Sequence, residues 1–251
     1  MKKILKNKIT LLIPLFFICV SIFSTSLLAL STEWAINDKS KVRLISSKTT
    51  SDNMDELIIG LEYKLEPGWK TYWKSPGGGG FPQSIEWNNS TNVDELNLEW
   101  PKPKEFQILG LTSIGYENNV IFPLIVKLKN KNKIKKINLN INYLVCKHVC
   151  IPGNANLILE LPDGEGEYTP FFHTIEKIRS TLPSSDINLT EINNISTEVF
   201  KGSKNIEISI TAESNKNFIN PKIFIHTPFG LPVKQPLNEY SFNLKKINSK
   251  F

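Results

Sequence analysis

Cysteine is scarce, with three in 251 residues. Cys19 lies inside an apolar run, where it acts as filler, so two cysteines remain, too few for a four-sulfur zinc site. Acidic residues are absent from positions 1–30, where Lys2, Lys3, Lys6 and Lys8 all fall. The formal charge of +6 is therefore largely local. Beyond that stretch stand 26 basic and 24 acidic residues, which gives no sequence-wide footprint for nucleic acid. Strand patterns do not alternate with helical ones, which argues against a parallel sheet. Four consecutive glycines at 77–80 lack the Gly-Lys-Ser/Thr ending of a phosphate loop, and there is no nucleophile elbow or zinc-protease motif. Hydrolase chemistry has no support.

One long apolar run occurs, at residues 11–30, and it follows the basic decapeptide. Basic flank and apolar stretch together read as a secretory signal over residues 1–30, or as an uncleaved N-terminal anchor, since twenty residues also span a bilayer. Both readings export the remainder.

The exported part is apolar enough to bury a core, with 40% hydrophobic residues overall, and its dominant period is two. Leu57, Ile59, Leu61, Tyr63 and Leu65 share a parity, as do Val120, Phe122, Leu124, Val126 and Leu128. Ile137, Leu139, Ile141, Tyr143 and Val145 alternate with Asn138, Asn140 and Asn142, and Leu157, Leu159 and Leu161 complete the series. Short half-buried strands joined by Gly, Pro and Asn clusters predict an all-β, antiparallel sandwich over residues 31–165. Six lysines in residues 127–136 read as a solvated hairpin loop, with docking to anionic lipid as the alternative. Phe171, Phe172, Ile175 and Ile178 predict a short amphipathic helix ending before Pro183, and the polar stretch to Thr197 reads as a linker. Alternation resumes at Ile206, Ile208 and Ile210. Residues 198–251 are too few for another complete sandwich and read as a partial second β domain.

Cys146 and Cys150 are the most informative feature. An exported compartment lets disulfides persist, and an even count of two suggests that they pair. Residues four apart on a continuous strand are about 13 Å apart, so the chain must turn between them. The expected site is a strand end or hairpin bend, exposed and somewhat strained. Parity places Cys146 on the face of Asn138, Asn140 and Asn142, away from the core and within reach of another protein. Leu144 falls on that face without an obvious partner. Three readings stay open at this point. A staple closing so short a loop contributes only about 2 kcal/mol. A cycling dithiol is favoured by Lys147 and His148 between the sulfurs, since positive charge favours the attacking thiolate. Copper or zinc could be held by Cys146, His148 and Cys150.

Four segments resemble the N-terminal periplasmic domain of DsbD-type thiol:disulfide interchange proteins, especially the ScsB-like branch. They are Gly68-Trp69-Lys70-Thr71-Tyr72-Trp73-Lys74-Ser75-Pro76-Gly77, then Trp100-Pro101-Lys102-Pro103, then Gly115-Tyr116-Glu117 leading into Val120-Ile121-Phe122-Pro123, and finally Tyr143-Leu144-Val145-Cys146 through Cys150-Ile151-Pro152. The resemblance implies an immunoglobulin-like sandwich, no cofactor, and protein-disulfide reductase activity carried by Cys146 and Cys150. It implies electrons received from a membrane-embedded donor domain and passed to periplasmic thioredoxin-like proteins that serve disulfide isomerisation, cytochrome c maturation or copper tolerance; full-length members carry the donor domain themselves, so the expectation here is a donor on a separate chain, with a truncated relic as the alternative. By the same analogy Cys150 forms the mixed disulfide and Cys146 resolves it. Trp69, Tyr72 and Trp73 with the glycines could form a shielding loop; core aromatics beside a flexible turn are the alternative. Three residues separate the cysteines, as in the ScsB-like branch, whereas the best-known DsbD domain has a wider gap.

Overall fold

The computed structural model describes residues 30–51, 54–130, 133, 135–184, 191–202, 206–219, 221–226, 237–240 and 246–250. The stretch read as export signal or anchor lies outside them, apart from Leu30. Two antiparallel sheets form the main body. One holds β1 (Ala35–Asn37), β2 (Ser40–Ser46), β3 (Glu56–Leu65), β9 (Asn119–Leu128) and β6 (Val93–Leu98), paired in that order. The other holds β11 (Cys150–Leu161), β10 (Lys135–Cys146), β4 (Lys70–Gly77), β8 (Leu111–Glu117) and β7 (Lys104–Ile108), with β5 (Ser84–Glu86) alongside the middle of β10.

The period-2 sets make the core between these sheets. Leu57 to Leu65 of β3, Val120 to Val126 of β9, Ile137 to Val145 of β10 and Leu157 to Leu161 of β11 all bury their predicted parity. Rings lock the centre: Tyr63 meets Phe122 edge-on at 5.6 Å and Tyr143 at 5.1 Å. The architecture is the antiparallel, immunoglobulin-like sandwich that the alternation and the resemblance predict.

The short amphipathic pattern becomes helix α1 (Phe172–Arg179), lying on the outer face of the first sheet. Ile175 is buried against Ile45 and Ile121, and Phe171 and Ile178 flank it. Phe172 leaves the expected stripe and stacks on Tyr168 at 3.9 Å instead. A third sheet follows, in the order β12 (Ile192–Lys201), β13 (Ile206–Ser214), β15 (Lys246–Lys250) and β14 (Leu237–Tyr240). Its first strand begins within the polar stretch read as linker. Residues 221–226 return to the main body: Phe224 packs on Trp73 at 6.1 Å, and His226 Nδ1 lies 2.9 Å from Ser75 Oγ.

The lysine-rich stretch is not a uniformly solvated loop. Lys135 opens β10 fully buried, and its ammonium donates to Asp163 at 2.8 Å and to Ser51. Lys127 pairs with Glu95 at 2.7 Å and Lys136 with Glu160 at 3.1 Å. Carboxylates thus answer three of the six charges, which weakens the case for a free cationic patch. The Lys135 hydrogen bond is the main reason that the Asp163 carboxyl is held below its ordinary range. A lowered pKa in the folded state stabilises above the unfolded value and is lost on acidification. Lys135→Ala should therefore lower the thermal midpoint by several degrees at pH 7, with the difference shrinking below about pH 4; calorimetry at both pH values measures it.

Candidate functional site

Cys146 ends β10 and Cys150 begins β11, so the pair closes a hairpin. The two strands stay in register for twelve pairs, from Lys135 opposite Leu161 to Cys146 opposite Cys150. Only Lys147, His148 and Val149 lie beyond, and the Lys147 amide donates to the Val149 carbonyl at 3.0 Å. The sulfurs are bonded, with Cα atoms 4.1 Å apart. This is the turn that the four-residue spacing requires.

Exposure divides the pair. Cys150 is exposed, whereas Cys146 is completely buried. Parity did put Cys146 on the face opposite the core, but that face is not open there. Beyond Asn142 the outward residues of β10 become Leu144 and Cys146, and neighbouring strands contribute Tyr72 from β4 and Ile108 from β7, with Phe106 beside them. These side chains form a second, small apolar cluster on the outer face. It gives Leu144 its place and seals the first sulfur. Phe106 and Ile108 escaped the sequence reading, although their two-residue spacing before Leu109-Gly110 was a usable strand signal.

Tyr72 links the cluster to the second cysteine, its hydroxyl lying 4.0 Å from Cys150 Sγ. Burial raises its pKa, so the phenol stays protonated and can donate toward a sulfur anion. Gly80 lies over the hydroxyl end of this ring, while Gly77 to Gly79 run along Leu111 to Ser113 of β8. Gly80 has φ +85°, and a Cβ added there would come 2.2 Å from Tyr72 Cζ; only glycine permits that approach. Trp69 and Trp73 sit on the opposite face of β4, within the main core. Of the three aromatics, Tyr72 alone covers the cysteines.

Two cations border the hairpin. Lys147 donates to the Pro67 carbonyl at 3.2 Å. Lys70, paired in register with Cys146, donates to the Gly68 carbonyl at 2.9 Å and lies over the Phe106 ring at 5.5 Å. His148 is exposed in the turn. Among the described residues, no group of three His, Cys, Asp or Glu side chains is placed to hold a metal ion. The copper alternative would also need the S–S bond broken and the Cys146 sulfur uncovered.

Residues 42–162 match the family model described as the N-terminal domain of thiol:disulfide interchange protein DsbD. No curated protein sequence matches the chain. Among solved structures, the N-terminal periplasmic domain of ScsB from Proteus mirabilis superposes with a TM-score of 0.71 at 24% identity, covering 88% of this chain and 84% of that one. The DsbD N-terminal domain of Neisseria meningitidis in its reduced form gives a TM-score of 0.28 at 12% identity, over 56% of this chain and 90% of the other. The first of these likenesses shows a shared fold that continues past the matched segment. No helix among the described residues is long and apolar enough to cross a membrane. With its sandwich and hairpin cysteine pair, the segment from residue 42 to residue 162 belongs to the family of DsbD N-terminal domains.

Proposed function

We propose that this chain is a periplasmic electron relay that exchanges its Cys146–Cys150 disulfide with protein partners. Unequal access to the two sulfurs carries the reading: Cys146 is fully buried and Cys150 exposed. A foreign sulfur can approach one atom of the bond only.

In the reduced domain the Cys150 thiolate attacks a partner's disulfide. A bond forms between Cys150 Sγ and one partner sulfur, and the other partner sulfur leaves as a thiolate and takes up a proton. Cys146 then loses its proton and attacks Cys150 Sγ. The intramolecular bond re-forms, the second partner sulfur is expelled, and two electrons have moved to the partner. A donor dithiol recharges the domain by the reverse steps. Tyr72 serves the Cys150 thiolate as hydrogen-bond donor, and the Lys147 charge favours the same anion.

A membrane-embedded dithiol domain suits the donor role, and periplasmic thioredoxin-like proteins suit the acceptor role. Residues 31–165 are the redox unit in this reading, and the third sheet, which starts with β12 at Ile192, is a second β unit that follows helix α1 in sequence. The equilibrium potential tests the proposal. Titration against glutathione should place it above about −300 mV, in the range of exchanging disulfides. A bond that stays oxidised throughout the glutathione range would be a structural staple, and the relay would be ruled out.

A further inference from the structure

The exposed sulfur sits within a rim that has its own chemistry. Val149 adjoins Cys150, and Leu109, Leu111 and Phe81 border the apolar cluster that seals Cys146. These four large side chains are between 48% and 65% exposed. Their placement follows from contacts already described. Ile108 packs in the Cys146 cluster and leads directly to Leu109. Leu111 covers Gly79, where an added Cβ would come 3.2 Å from Leu111 Cδ1. Phe81 follows Gly80, which lies on the Tyr72 ring. Leu109 and Gly110 have φ of +53° and +79° and form the two-residue turn between β7 and β8. Asn-Gly suits such a turn best, so an exposed leucine there is set against backbone preference. Grouped apolar exposure of this kind marks a contact surface.

Charge at the rim has one sign. The ammoniums of Lys70 and Lys147 rest on the Gly68 and Pro67 carbonyls, and among the described residues neither reaches a carboxylate. Glu105 and Glu117 of the same sheet are turned to Lys222 at 3.5 Å and Lys104 at 3.2 Å. Glu66, the nearest acid in sequence, pairs with neither lysine. Two fixed cations therefore stand beside an apolar field around one reactive sulfur.

We infer that this end of the second sheet is a docking face for a thiol-bearing protein whose own contact surface is apolar at its centre and acidic at its edge. The inference rests on the interchange reading above. Apolar burial holds the encounter long enough for exchange, and complementary charge selects the partner and speeds its approach.

The test uses the oxidised full chain and three five-residue cysteine peptides, acetylated and amidated. The first has leucine and phenylalanine beside the cysteine and glutamate at both ends. In the second, lysines replace the glutamates; in the third, serines replace the apolar pair of the first. Mass spectrometry follows mixed-disulfide formation, and each rate is divided by that peptide's rate with a small neutral disulfide, which cancels intrinsic thiol reactivity. At about 20 mM salt the first peptide should react about ten-fold faster than the second, and the gap should close to about two-fold at about 0.5 M. Lys70→Ala with Lys147→Ala should also close it. Phe81→Ser with Leu111→Ser should reduce the rate of the first peptide to that of the third. Equal normalised rates for all three peptides on a bond that they do reduce would overturn the docking face and leave the relay intact. A bond that neither the peptides nor dithiothreitol reduces would instead remove the relay reading itself.

Discussion

Cys146→Ala accumulates a stable disulfide-linked partner when expressed in an exporting host, and Cys150→Ala accumulates little or none. The contrast follows from exposure. Without Cys146, Cys150 remains at the surface beside the Tyr72 hydroxyl, free to attack, and no second thiol can release what it captures. Without Cys150, the remaining thiol lies beneath Tyr72, Leu144, Ile108 and Phe106, where ionisation is costly and approach is blocked. Non-reducing electrophoresis with antibody detection should show adducts at least about ten-fold more abundant in the first variant, since exchange requires a reachable thiolate. Equal trapping by both variants would show that the cluster opens freely, and the ordering of the two cysteines would fail.

The second large effect concerns the cover itself. Tyr72→Ala removes the ring that packs beside Cys146 and carries Gly80 on its outer side. In the reduced protein, Cys146 should then be alkylated by iodoacetamide at a rate approaching that of Cys150, whereas in the parent chain it should lag by about a hundred-fold, the bury-and-expose difference that governs thiol access. The cost to stability is about 2–4 kcal/mol, near the lower range for removing a buried aromatic, because the cluster is a small satellite of the main core. Tyr72→Phe separates the two roles of this residue. It should keep the protection of Cys146 and lose the hydrogen bond to the Cys150 anion, so the Cys150 thiol pKa should rise. Protection surviving in Tyr72→Ala would assign the cover to Ile108 and Leu144 instead.

The sandwich was legible because both of its inner faces alternate strictly: every apolar residue from Ile137 to Val145 on one parity of β10 is buried, and asparagines mark the other. The hairpin was legible from distance alone, since two half-cystines four residues apart cannot share a straight strand. The sealing of Cys146 was not. Parity assigns a residue to a face but does not say which neighbouring strands line that face, and Tyr72, Phe106 and Ile108 lie 38 to 74 positions before Cys146 in sequence. Leu144 was the clue, an apolar side chain on a face otherwise given to asparagine. Lys135 failed for a related reason. In sequence it is one lysine among six, and only the return of the chain to Asp163, opposite the start of β10, makes it an interior cation.

The twelve-pair ladder behind the cysteines has a bearing on how such a carrier survives its own chemistry. Hydrogen bonds zip both arms together up to the half-cystines, so opening the S–S link frees a tip of three residues and nothing else. The fold should therefore keep the same outline with the bond open or closed. If the relay reading holds, the domain can spend part of each cycle without the one disulfide found among its described residues and still keep its hairpin closed by the ladder.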